Sequence, residues 1–187
     1  MSMFPVFLDL RGRRVLLVGG GRVAAAKLPG LVAAGAAVTV VAPAIGDELE
    51  RHSVQLRRKP FEESDLDGAW YVVAAAPPEV NRQVRQAADA RHLFVNAVDD
   101  PATATAYAGG VVRRDGVTIA ISTDGRSPAL AGLLREALDA WLPGDLDAWL
   151  AAADTERRRW RETAVPMDQR RPALLETLNK LYEVKQA

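Results

Sequence analysis

Two short stretches of this sequence combine residue types and spacings suited to chemistry. The first is Gly19-Gly20-Gly21-Arg22-Val23-Ala24, a G-x-G-x-x-A pattern that follows the apolar run Arg14-Val15-Leu16-Leu17-Val18 and opens an Ala-rich segment. In that position the first glycine permits a tight turn and Gly21 lets the backbone approach a pyrophosphate. Ala24 lets a helix pack close to the strand, with its N-terminal amides facing the phosphates. The second stretch is Ser122-Thr123-Asp124-Gly125-Arg126-Ser127-Pro128. Its hydroxyls, its amides and Arg126 could receive anionic carboxylates, while Ser127 caps a helix that Pro128 starts. Between the two stretches, Asp99 ends the run Leu93-Phe94-Val95-Asn96-Ala97-Val98. Ligands of open α/β sheets bind at that end of a strand, although Asp99 or Asp100, read alone, is first a turn former before Pro101.

Composition removes other chemistries. There is no Cys, so disulfides, thiolate metal sites, iron–sulfur clusters and a Cys nucleophile are excluded. With only His52 and His92, no zinc site of the usual kind is expected, and no metal ligands are assigned. Lys+Arg and Asp+Glu both number 24, so no global field recruits nucleic acid or a membrane. Residues 1–10 have no Lys or Arg before their apolar positions, and Asp9 interrupts them, unlike a signal peptide. No run approaches the roughly 20 apolar residues of a membrane span. The expectation is a soluble, cytoplasmic protein.

These residues need a scaffold, and the pattern around them supplies one. The runs at 14–18, 38–42, 70–74 and 93–98 are apolar throughout, with 54–57 a weaker strand candidate. Such runs suit a parallel sheet covered on both faces, with 22–35 and 79–91 as crossover helices. The reading is an α/β, doubly wound parallel sheet. After residue 99 two strand patterns flank Arg113-Arg114-Asp115-Gly116. A helix then runs from Ser127 to about Trp141, where Pro143 stops it. Asp145 caps a second helix with Leu146, Trp149, Leu150 and Ala153 on one face, and a third follows Pro172.

Two features bear on the cofactor site. An acid that would take the ribose hydroxyls is expected about 20 residues after the turn, but the second strand ends Val41-Ala42-Pro43-Ala44 and no acid precedes Asp47. The ribose must be held by backbone or by another side chain, and Arg22 at the phosphate end leaves NADP open beside NAD. Pro29-Gly30 falls inside the first helix, where the two cost several kcal/mol, so a kink or early break is expected there.

The order of Gly19-Gly20-Gly21-x-Val23-Ala24-x-x-Lys27, Ala34-Gly35-Ala36-x-Val38-Thr39-Val40-x-Ala42-Pro43, Asn96-x-Val98-Asp99 and Ile121-Ser122-Thr123-x-Gly125-x-Ser127-Pro128 resembles the precorrin-2 dehydrogenase/sirohydrochlorin ferrochelatase family, the first module of siroheme synthase. Phe4-Pro5-Val6-Phe7-Leu8-Asp9-Leu10 is also similar, and the likeness covers nearly all of 3–150. It implies a Rossmann-like NAD-binding domain over 1–112, a strand-containing dimerisation region over 113–144 and a helical domain over 145–187, assembled as a homodimer. It implies removal of two hydrogens from the tetrapyrrole precorrin-2 to give sirohydrochlorin, with NAD⁺ as hydride acceptor. In some members Fe²⁺ then enters as a substrate. Asp99 falls on the family's aspartate implicated in the chemistry, where one carboxylate could act as base. Gly19, Gly20, Gly21, Arg22, Val23, Pro43, Ala44 and Ala75 would contact the cofactor, and Ser122, Thr123, Gly125 and Ser127 the substrate. Two departures stand out: Ala75-Ala76-Pro77 lacks the Thr of many relatives, and Tyr107-Ala108-Gly109-Gly110 replaces a bulkier segment with Pro.

Plainer readings apply elsewhere. Arg157, Arg158, Arg159 and Arg161 form a solvated helix face, and the four Trp are core or interface. Two other functions remain open: a non-catalytic NAD-binding sensor, and a ferrochelatase that has lost dehydrogenation.

Overall fold

The computed structural model describes residues 3–98, 100 and 102–183. Two units divide the chain: residues 1–108 with 124–126, and residues 109–123 with 127–187.

The first unit is built on β1 (Arg14–Val18), β2 (Ala37–Val41), β3 (Gln55–Arg57), β4 (Tyr71–Ala74) and β5 (Phe94–Ala97). All neighbours pair in parallel, in the order β3-β2-β1-β4-β5. The sheet is Rossmann-like, and the order reverses between β1 and β4. Helix α1 (Arg22–Ala33) links β1 to β2, a short α2 (Asp47–Glu50) precedes β3, and α3 (Pro78–Asp89) links β4 to β5. Val15, Leu16, Leu17, Val40 and Val72 are fully buried because helices cover both faces. Leu16, Val72, Val84 and Val95 belong to one core cluster, and Val15, Leu17, Ala24 and Leu28 to the other. The 3₁₀ turn Glu63–Leu66 places Asp65, almost wholly buried, against Arg57 (3.1 Å) and Lys59 (2.9 Å).

The break expected at Pro29-Gly30 does not occur: α1 runs unbroken to Ala33. Both residues lie on the exposed face, where the ring meets no packed neighbour and water can take the carbonyl left without a donor. Buried Ala24 and Leu28, one turn apart, hold the helix to the sheet.

The second unit contains β6 (Gly110–Arg114) and β7 (Val117–Ile121), an antiparallel hairpin, then α4 (Pro128–Trp141), α5 (Leu146–Glu162) and α6 (Met167–Glu183). Asp115 and Gly116 both have positive φ, 47° and 82°, as a two-residue hairpin turn requires. The expected boundary after residue 112 falls inside β6. Gly109 and Gly110, where β6 begins, have a packing role. A Cβ on Gly109 would overlap the Ile121 carbonyl, and one on Gly110 would crowd the Ala131 carbonyl at 2.9 Å.

Several expectations for the helices need correction. Helix α6 begins at Met167, five residues before Pro172, and exposed Pro172 sits within it. Asp145 starts α5 without a capping hydrogen bond from its side chain; its carboxylate accepts from the Tyr182 hydroxyl at 3.4 Å. Leu150 is exposed, so the apolar face of α5 is narrower than its periodicity suggests, and Leu175 on α6 is exposed as well. Of the four Trp, only Trp160 is core. Trp141 is 79% exposed, and Trp70 lies open beneath the Arg13 guanidinium at 3.7 Å. The arginines flanking Trp160 are exposed, as expected of a solvated face.

Candidate functional site

Where β1 stops, three glycines do three different things. Gly19 has φ 131°, donates its N–H to the Val41 carbonyl at 2.9 Å, and lies so close to the Ala75 carbonyl that a Cβ would overlap it. Gly20 is held against the Ala44 carbonyl, where a Cβ would also overlap, and its own carbonyl accepts from Gly46 N–H at 2.9 Å. These two are glycines because the ends of β2 and β4 leave no room. Gly21 differs: a Cβ there would meet nothing within 4 Å. No protein atom requires a glycine at that point, and the space in front of it is open, with room for a pyrophosphate.

Gly21 is also the N-cap of α1, accepting from Ala25 N–H at 3.0 Å. The helix leaves the amides of its first turn, Arg22, Val23 and Ala24, without intrahelical acceptors. No acidic side chain occupies that turn, so nothing there opposes an anion that the helix dipole and the Arg22 guanidinium would attract.

Two cavities flank the turn. On the β2 side, about 440 Å³ is lined by Gly20, Arg22, Gly46, Asp47, Glu48 and Arg51. On the β4 side, about 230 Å³ is lined by Val23, Ala75, Ala76, Asn81, Val98 and Asp100 among others. This arrangement, a phosphate cradle between two cavities at the reversal of strand order, fits a dinucleotide laid across the sheet.

The first cavity carries acids although none ends β2. The Gly46-to-Gly20 hydrogen bond folds the segment after β2 back toward the turn, and Asp47 opens α2 on the cavity wall. Sequence spacing missed Asp47 and Glu48 because they lie beyond the strand end. The available signal was Gly46 followed by Asp-Glu-Leu-Glu.

The second cavity brings together Val23 and Ala75, both assigned to the cofactor from the sequence, and Asp100, weighed as a turn former, and it adds Asn81, which the sequence did not flag. Asn81, on the first turns of α3, is 3% exposed and accepts from Ala76 N–H at 3.1 Å through Oδ1. Asp100 Oδ1 accepts from Ala102 N–H at 3.2 Å, and its carbonyl accepts from Thr103 N–H at 3.2 Å. The turn-forming role weighed for this acidic pair is thus played by Asp100. Asp99 lies outside the described residues. Pro43 and Ala44 are exposed beyond β2, with the Ala44 carbonyl beside Gly20.

In the Ser122–Pro128 loop, Asp124 and Gly125 take positive φ, 54° and 73°. The Thr123 hydroxyl donates to the Ser127 carbonyl at 3.0 Å and accepts from Ser127 N–H at 3.2 Å. Ser127 Oγ accepts from Leu130 N–H at 3.3 Å, the expected cap of α4. The Thr123 and Ser127 hydroxyls therefore shape the loop, while Ser122 and Gly125 are exposed.

Burial pushes the Tyr71 phenol up to about 12, which makes it a neutral core group. Among the described residues, no three His, Asp or Glu side chains gather to hold a metal ion, and no helix is long and apolar enough to cross a membrane.

Strand order, glycine turn and paired cavities define a dinucleotide-binding protein. Residues 6–110 match the family model described as putative NAD(P)-binding, and the chain belongs to that family. Residues 114–140 match the model described as sirohaem biosynthesis protein central. Its relatives include the siroheme synthase of Photorhabdus laumondii, 39% identical over 91% of this chain and 37% of that protein. The siroheme synthase of Zymomonas mobilis is 38% identical over 100% of this chain and 41% of that one. The chain thus spans about two fifths of the length of these relatives. A solved structure titled SirC, precorrin-2 dehydrogenase, superposes with a TM-score of 0.73 at 26% identity, covering 99% of this chain and 100% of that one.

Proposed function

We propose that this chain oxidises precorrin-2 to sirohydrochlorin, passing a hydride to NAD⁺ and releasing one proton. The observation that carries the proposal is the open cradle at Gly21 between two cavities, in a chain that matches a precorrin-2 dehydrogenase along its whole length. Bound NAD⁺ would supply the electron acceptor. This chain's amides at 22–24 would hold the phosphates, and the Asp47 and Glu48 carboxylates would hold the adenosine ribose and oppose a 2′-phosphate. Arg22 and Arg51 line the same cavity, and they favour NADP as the second reading. Parallel titrations with the two coenzymes decide between them.

Asp99 is assigned the proton acceptor role, as the sequence neighbour of Asp100, which lines the β4-side cavity. Ser122, Thr123, Gly125 and Ser127, with Arg126, are assigned to the substrate carboxylates. Fe²⁺ insertion into sirohydrochlorin belongs to the same reading, with the metal as substrate and the tetrapyrrole nitrogens as its final ligands. Cytoplasmic work as a homodimer completes it, supported by the exposed Leu130, Leu133 and Leu134 on α4.

Anaerobic incubation with precorrin-2 and NAD⁺, following sirohydrochlorin absorbance and NADH, tests the proposal. Both products should appear together. A sensor would give neither, and a pure chelatase would act only on supplied sirohydrochlorin plus Fe²⁺. The Asp99→Asn variant should fold and bind NAD⁺ normally but lose turnover by at least about 100-fold. Unchanged turnover would remove Asp99 from the mechanism.

A further inference from the structure

The β4-side cavity contains a buried polar group whose bonding is half complete. Asn81 is 3% exposed. The Ala76 main-chain nitrogen can only donate, so the Asn81 atom facing it at 3.1 Å is the carbonyl Oδ1. The amide NH₂ must then face the other way, and among the described residues it has no hydrogen-bond partner. That donor is not one of the fully buried polar atoms that lack a partner; it opens on the cavity that Asn81 lines, where a ligand's acceptor can meet it. The other walls are Val23, Ala75, Ala76, Pro78, Val98 and Asp100. Apolar walls with one neutral donor and one carboxylate acceptor complement a flat ring bearing a carboxamide, which itself offers one acceptor and one donor.

We infer that Asn81 donates a hydrogen bond to the carboxamide oxygen of the nicotinamide ring, and so fixes how that ring is turned in the β4-side cavity. The inference rests on the dinucleotide reading proposed above and gives Asn81 two tasks on one side chain. Oδ1 holds the Ala75-Ala76 segment by its backbone, and Nδ2 reads the ligand. Ala75-Ala76-Pro77 itself offers no hydroxyl that could do the same work.

Calorimetric titration with NADH and with ADP-ribose, which has no nicotinamide, separates these tasks. Asn81→Asp keeps the acceptor for Ala76 N–H and removes the donor; Asn81→Leu removes both at similar volume. The expected result is that both variants bind NADH at least tenfold more weakly than the unmodified protein, while ADP-ribose affinity stays within about twofold. Retained ADP-ribose binding also certifies that the variants are folded. If Asn81→Asp restores NADH affinity that Asn81→Leu loses, Asn81 only holds the segment and the inference falls. It falls equally if neither variant affects NADH, or if both ligands weaken together. If the unmodified protein binds neither ligand, the dinucleotide reading itself is overturned.

Discussion

The two units hide their apolar side chains to very different degrees. In the first, the inner strands β1, β2 and β4 are sealed on both faces, with Val15, Leu16, Leu17, Val40, Val41 and Val72 at 0% exposure. In the second, the buried apolar residues among those described are Val112, Ala131, Leu146 and Trp160, while Leu130, Leu133, Leu134 and Trp141 on α4 remain open. Even its buried polar groups are less well served: Trp160 Nε1 lacks a partner, and Glu156 has Thr177 on Oε1 at 3.2 Å but no hydrogen bond on Oε2. A sheet sealed on both faces can hold a ligand cradle at its strand ends to the tolerance that binding demands. A hairpin with three helices and half a core is a surface in need of cover.

The largest expected effect tests the first half of that contrast. Leu16→Ala removes a fully buried side chain from the middle of β1. It should cost about 3–4 kcal/mol of unfolding free energy, the transfer and cavity terms acting together. Urea unfolding measures it. A loss below about 1 kcal/mol would mean that the sheet is not the close-packed layer that its burial indicates.

Asp65 gives an intermediate effect with a pH signature. Burial alone would raise its pKa. The Glu62 N–H, Lys59 and Arg57 outweigh this and hold the carboxyl below its ordinary value. A depressed folded-state pKa contributes stability that is present above the unfolded value near 3.9 and is lost as pH falls through the folded one. Asp65→Asn should therefore cost about 1–3 kcal/mol at pH 7, and the gap from the unmodified protein should narrow in acid below about pH 4. Denaturant midpoints at pH 7 and pH 3 check both statements. A gap that is constant across that range would assign the loss to packing instead.

The same contrast governs how much the sequence reveals. Strands β1, β2 and β4 are legible because burial on both faces demands near-continuous apolar residues, and the turn after β1 because only glycine fits where the Ala75 and Ala44 carbonyls press. What stays hidden depends on return paths through space. Asp47 reaches the cavity because Gly46 bonds back to Gly20, and Asn81 reads as a polar residue on an amphipathic helix until its burial is seen. Pro29 misleads because its cost depends on which face it occupies. In the second unit, periodicity overstates the buried face of α5, since a pattern of leucines does not say what covers them.

The smallest expected change in fold stability addresses that cover. Leu133 is 64% exposed in the middle of α4, with Leu130 and Leu134 beside it. If a second copy of this chain packs there, Leu133→Glu places a charge in a dry interface, a change that costs about 2 kcal/mol at a central position, or roughly 30-fold in the dimer constant. The chain's own unfolding free energy should move by no more than about 0.5 kcal/mol, because the side chain contributes little to the core of a single copy. NADH affinity should also hold, since every lining residue of the two cavities belongs to the first unit. Sedimentation across a concentration series reads the association, and thermal unfolding at the lowest concentration reads the fold. A variant that dimerises as tightly as the unmodified protein would show that the exposed leucines of α4 are not the joining surface, and the reason for the half-built core would have to be sought on another face of the second unit.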